Sequence, residues 1–176
     1  MSFFPPVRRW QLPERLLQVS LQEMALDGQE GNEGICLWLG ERNQDSTATV
    51  RHAVKLRGRG IWKTPVNIRI APELLREVHH HARSVGAILV GQIHSHGSYY
   101  GVDLSPTDIR YGVAVPYYLS VVAPDYGLNP KTSWADCGIH VYYPDEGFLR
   151  LNTNGAGHAL KIDSSLSLSE VTVNGI

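Results

Sequence analysis

The residues with the greatest capacity for chemistry lie in one segment, Ile93-His-Ser-His-Gly-Ser-Tyr-Tyr-Gly-Val-Asp-Leu-Ser-Pro-Thr-Asp108. It continues the run Ala87-Ile-Leu-Val-Gly-Gln92, which stays largely apolar until its C-terminal end and so reads as a central buried strand. Side chains at i and i+2 of a strand share a face, so His94 and His96 present two imidazoles to one point at the strand's end. That is half a zinc site. Asp108, at the start of the next helix, is near enough in sequence to return over the strand end as a third ligand. Two His and one carboxylate leave the fourth tetrahedral position to water, the pattern of a catalytic zinc. A hydrolase of this kind also needs a group that takes and delivers a proton, and Glu33, which opens an apolar strand, is the candidate. Ser105 could donate a hydrogen bond to a developing oxyanion.

Each of these residues has a plainer reading. Ser105, Pro106 and Asp108 make an ordinary helix start, with Ser at the N-cap, Pro at the first position and an acid in the first turn. A His-x-His at a strand end is commonly incidental, and a Glu before an apolar strand is commonly a solvated flank. Only in combination do the five point to a hydrolase.

The elements that would carry them follow from periodicity. Paired prolines, Pro5 and Pro6, lie in an extended arm that leads to a first helix from near Pro13, where Leu16, Leu17, Val19, Leu21, Met24 and Leu26 recur at helical spacing until Asp27-Gly28. Glu33 to Gly40 and Thr47 to Leu56 read as strands joined in a hairpin through Arg42 to Ser46. Arg57 to Pro65 is basic and Gly-rich and reads as a loop, Val66 to Ile70 as a short strand, and Pro72 to Gly86 as a second helix. After the strand that ends at His96, Ser105 opens a short helix and Tyr117 to Ala123 forms a strand. Trp134 to Tyr143 with Gly147 to Leu151 forms a last hairpin. Residues 152–176, rich in Ser, Asn and Gly, fit a mobile tail or an edge strand. Interleaved helices and strands imply an α/β or α+β domain with one sheet flanked by helices.

Composition sets the bounds. The chain has 176 residues, 43% of them apolar, with 16 Lys plus Arg against 17 Asp plus Glu. One domain of this size buries about 70% of its unfolded surface and needs no disulfide framework. A net charge of -1 argues against a general nucleic-acid binder. Cys36 and Cys137 stand apart, outside any Cys-x-x-Cys pair, and read as reduced, buried thiols. The N-terminus has no apolar signal core. The longest apolar stretch, Val113 to Pro124, is broken by Pro116 and too short to span a bilayer, so a cytoplasmic protein with no membrane partner is expected.

Taken together, Glu33, His94, His96, Ser105 and Asp108 resemble the motif of the JAMM or MPN-type zinc peptidases: a Glu on an early strand, then His-x-His, a seven-residue gap and Ser-x-x-Asp. The resemblance runs roughly from Leu12 to Tyr143. It implies a single domain over residues 1–151 with an N-terminal arm at 1–11, an α/β (α+β) fold with a curved mixed sheet flanked by helices, like that of cytidine deaminases, and a tail at 152–176. It further implies one zinc per chain with a bound water, held by His94, His96 and Asp108, with Glu33 as general acid/base and Ser105 stabilising the tetrahedral intermediate. The implied substrate is a ubiquitin-like protein or its conjugate, cut at an amide bond of the C-terminal tail. Small stand-alone bacterial members resemble deconjugating enzymes of ubiquitin-like conjugation operons, including antiphage ones.

Two departures stand out. Eight residues, Gly97 to Leu104, fill the gap where seven are usual, and Gly97 replaces the Pro that commonly follows the second His. Asp103, inside this gap, is a competing carboxylate ranked below Asp108. Tyr99 and Tyr100 could line a groove for an extended substrate or pack the loop down. The basic stretch with Arg57, Arg59, Trp62 and Lys63 could meet an acidic partner or form a solvated turn. His79, His80 and His81 fan out by about 100° each on a helix and cannot share one metal. His52, His140 and His158 have no partner at ligand spacing. The competing reading is a catalytically silent MPN-type scaffold that assembles with a partner protein, and a DNA-associated role like that of RadC-type members ranks below it.

Overall fold

The computed structural model describes residues 5–176. Its backbone is one curled mixed sheet with helices on both faces, in a single α+β domain. The sheet grows from β2 (Ile35–Arg42) and β3 (Thr47–Gly58), the expected hairpin, paired antiparallel. β2 alternates strictly: Cys36 and Trp38 enter one core, and Ile35, Leu37 and Leu39 enter the other. The first core is covered by α1 (Leu16–Gly28), which buries Leu16, Leu17, Val19, Leu21 and Met24, and the second by α2 (Pro72–Ser84) through Leu74, Val78 and Ala82. Both faces of the strand are therefore apolar, as a strand covered on both sides requires. Register shifts at Trp38/Leu39 and Leu39/Gly40 bulge β2 against its two neighbours and strengthen the local twist. Gly40 permits this, since a Cβ there would fall 1.9 Å from the Thr49 carbonyl oxygen.

On the other side of β2 lies β6 (Ile88–Ser95), antiparallel, and then β7 (Leu119–Ala123) parallel to β6. β8 (Gly138–Tyr143) and β9 (Gly147–Arg150) complete that side in antiparallel order. A separate hairpin of β4 (Ile61–Thr64) and β5 (Asn67–Ile70) stands beside the start of β2. Between β6 and β7 the chain forms α3 (Pro106–Tyr111).

Two segments differ from the sequence reading, and a third, read as a mobile tail or an edge strand, is structured and includes such a strand. The N-terminal arm, whose first four residues lie outside the described ones, is not simply a lead-in to a helix. Arg9–Pro13 is a strand, β1, parallel to β3, and it buries Trp10 and Leu12, whose burial repays the ordering of the chain. The stretch Arg57 to Pro65, read as a loop, contains β4. Residues 152–176 carry α4 (Thr153–Ala159) and two strands: β10 (Leu160–Asp163) pairs with β1, and β11 (Ser169–Gly175) pairs with β3 over seven residues. β11 therefore covers the edge of β3 on the side away from β2 and β6.

Candidate metal and catalytic centre

Three chain segments meet at the C-terminal end of β6. His94 lies opposite Ile35 in the β2–β6 register, so its ring occupies the face covered by α2. Glu33 stands two residues before Ile35, and the two line one cavity with His94 and Asp108. The Glu33 amide donates to the Thr64 carbonyl of β4 at 2.9 Å. Ser95, between the two histidines, ties the segments together: its hydroxyl accepts from Gly34 N–H at 2.9 Å, and its own N–H donates to the Gly34 carbonyl at 3.0 Å. The His96 backbone is held by donating to the Ala123 carbonyl at 2.9 Å and accepting from Tyr126 N–H at 2.7 Å.

The side chains converge. His94 Nε2 and His96 Nε2 are 3.2 Å apart, and Asp108 Oδ2 lies 3.2 Å from the second and 3.5 Å from the first. A tetrahedral zinc with ligands at about 2.0–2.2 Å separates its donor atoms by about 3.3–3.6 Å, so this triangle comes within about 0.1 Å of one face of such a site. Two imidazole nitrogens directed at each other and at one carboxylate oxygen have more lone pairs than protons to share, and a cation between them resolves the conflict. Both histidines are buried, at 3% and 5% exposure. His96 Nδ1 donates to the Gly101 carbonyl at 2.8 Å, which leaves Nε2 as the lone-pair nitrogen. Among the described residues, His94 Nδ1 is buried without a hydrogen-bond partner.

Asp108 fills two roles at once. It completes a capping box with Ser105, its Oδ2 accepting from Ser105 N–H at 2.7 Å while its own N–H donates to Ser105 Oγ at 3.1 Å. The ordinary helix start and the candidate ligand are thus the same structure. The cap locks the Asp108 rotamer toward the histidines and leaves the Ser105 hydroxyl proton free to donate. Electrostatics agree with a compact charged cluster. Burial raises the Asp108 carboxyl, but its bonds to His94 and His96 outweigh that and hold it well below the usual carboxylate range. Burial lowers His96, and the Asp108 and Gly101 bonds outweigh it, leaving the ring raised. Burial pushes Glu33 up to about 7, with His96 opposing and Asp108 adding to the rise.

No family model matches the sequence. Over 133 residues the chain is 32% identical to the protein named Probable metalloprotease y4jG of Sinorhizobium fredii, an alignment spanning 74% of this chain and 80% of that one. The chain belongs to this metalloprotease family. The solution structure of protein DSY2949 from Desulfitobacterium hafniense, 16% identical, has the same fold with a TM-score of 0.65, covering 89% of this chain and 94% of that one. The fold is shared. A metalloprotease family and a three-residue group able to hold a metal point to the same coarse chemistry.

In this member of the metalloprotease family, all five sequence-predicted residues lie at or beside the end of β6. Asp103 does not join the ligand triangle; it faces Arg150 instead. Gly97 lies against the Tyr126 ring, where a Cβ would fall 2.5 Å from Tyr126 Oη, so no proline ring fits at that position as the loop stands. Tyr99 and Tyr100 do not pack the loop down: they are 100% and 56% exposed. The basic stretch is mostly neutralised within the chain, because Arg57 pairs with the buried Glu23 and Lys63 with Asp27 of α1. Sequence reasoning missed Ser95 and the Thr64 carbonyl. The only signal for Ser95 was its place between the two histidines. Beside the triangle opens a cavity of about 130 Å³ lined by Glu33, Ile35, Leu37, Ile68, Val113 and Phe148, among others.

Proposed function

We propose that the chain is a zinc-dependent peptidase of the JAMM type that hydrolyses an amide bond in the C-terminal tail of a ubiquitin-like protein. The observation that carries this reading is the convergence of His94 Nε2, His96 Nε2 and Asp108 Oδ2 within 3.2–3.5 Å, with Glu33 lining the same cavity. Zinc held by these three residues would acidify a water and polarise the scissile carbonyl. Glu33 takes the proton of the attacking water and passes it to the leaving amine, so one carboxylate serves both halves of the hydrolysis. The Ser105 hydroxyl, already oriented as an N-cap, donates to the carbonyl oxygen as it gains charge. The cavity alongside Glu33 offers the substrate chain an apolar wall through Ile35, Leu37, Ile68 and Val113. Exposed Tyr99, Tyr100, Ile109 and Tyr111, on the His96–Ser105 loop and on α3, suit contact with an extended polypeptide.

The test is turnover of ubiquitin-like fusion proteins by the zinc-loaded chain, compared with Glu33→Gln. Cleavage by wild type and none by the variant supports the reading. Equal cleavage by both removes it. One equivalent of zinc with no cleavage of peptide or isopeptide fusions would favour a scaffold.

A further inference from the structure

We infer that Asp103, fixed by Arg150, is a positioning residue for the His96 imidazole; this rests on the reading of His96 as a metal ligand. The eight-residue loop from Gly97 to Leu104 is held at three consecutive positions. The Gly101 carbonyl accepts from His96 Nδ1 at 2.8 Å. The Val102 carbonyl lies directly on Gly138 of β8, where a Cβ would fall 1.8 Å from its oxygen. The Asp103 carboxylate accepts from Arg150 Nη1, with His140 Nε2 3.9 Å away from the same oxygen. His140 and Arg150 are register partners on β8 and β9. These two outer strands supply no ligand, yet through the loop they set the position of the one carbonyl that fixes which nitrogen of His96 carries the proton.

The consequence is chemical as well as geometric. With Nδ1 protonated against a fixed carbonyl, Nε2 presents a lone pair to the cation and the ring cannot turn. A loop released from β8 and β9 lets the Gly101 carbonyl drift, and His96 then samples the other tautomer and other ring angles.

The test compares wild type with Asp103→Ala, Arg150→Met and Gly138→Ala in the full chain. Two readouts are used: zinc affinity by chelator competition, and the His96 tautomer in metal-free protein from side-chain ¹⁵N NMR at a pH high enough to keep the ring neutral. Asp103 and Arg150 are well exposed, so their loss should barely change thermal stability while weakening zinc about fivefold, near the most that an exposed pair can contribute. Gly138→Ala, which displaces the loop, should weaken zinc about 10- to 100-fold. The pair Asp103→Arg with Arg150→Asp should restore most of the loss. The His96 signals should change from a single Nδ1–H pattern to a mixture in the single variants. Unchanged zinc affinity and an unchanged tautomer in Asp103→Ala would overturn the inference. If wild type binds no zinc, the ligand reading fails on its own, and an Nδ1–H pattern that persists in every variant overturns the positioning role separately.

Discussion

The roles proposed for Glu33 and Ser105 are separable at the residue scale. Glu33 is not among the atoms of the ligand triangle, so Glu33→Gln is expected to bind zinc as wild type does and to lose peptidase turnover, measured as zinc stoichiometry beside kcat. Ser105→Ala would remove the proposed donor to the oxyanion, and the expected loss is about 100-fold in kcat, typical of a single such donor. It also removes the cap that orients Asp108, so a fall in zinc affinity should accompany it, unlike in Glu33→Gln. A loss of turnover with metal affinity untouched would show that the cap is dispensable for Asp108. Much of this scale was legible in the sequence, because His-x-His at the end of an apolar run and Ser-Pro-Thr-Asp before a helix are local patterns. Ser95 was not, since a serine that bonds across to a second strand leaves no trace in local spacing.

The join between β2 and β6 decides the site at the scale of the elements. Ser95 exchanges two hydrogen bonds with Gly34, one residue beyond Glu33, in a position with no exposure. Ser95→Ala leaves the Gly34 N–H buried without an acceptor, at a cost of about 1–3 kcal/mol in urea unfolding. Gly34 itself lies against α1, where a Cβ would fall 2.6 Å from Met24 Cα, so the helix and the strand that delivers Glu33 meet at van der Waals contact. The β2–β3 hairpin, α2 and β6 were legible because each has a strong period and a turn or cap at its end. The pairings of β1, β10 and β11 were not. They are parallel and distant in sequence, and nothing in Arg9–Pro13 or Ser169–Gly175 states which strand each will meet. Only the apolar Trp10, Leu12 and Val173, all buried, mark these segments as part of the sheet rather than loose ends.

Charge and burial at the scale of the whole molecule account for two cations of the basic stretch, Arg57 and Lys63, which pair with acids of α1. Arg57 answers Glu23, which is 2% exposed, and Arg57→Met should destabilise the protein by about 3 kcal/mol in urea unfolding. That figure is the low end for breaking a buried pair, because Arg57 itself is more than a third exposed. Burial raises both Cys36 and Cys137 to about 12, so the folded protein should resist iodoacetamide at pH 8 and react fully once unfolded. The same shift sets a sign for stability. The unfolded thiols lose protons from about pH 9 while the folded ones keep theirs, so stability should fall as pH rises from 9 toward 12. No described helix is long and apolar enough to cross a membrane. The fold, a curled sheet between two cores, places the triangle at one end of its central strand pair, with Glu33, His94, His96 and Asp108 all dependent on that end being rigid.

The most direct measurement is zinc content by elemental analysis of wild type and His94→Ala, purified in parallel without chelator. One equivalent per wild-type chain and little in the variant is the predicted result. No zinc in either protein after supplementation would contradict the account and pass the fold to the scaffold reading.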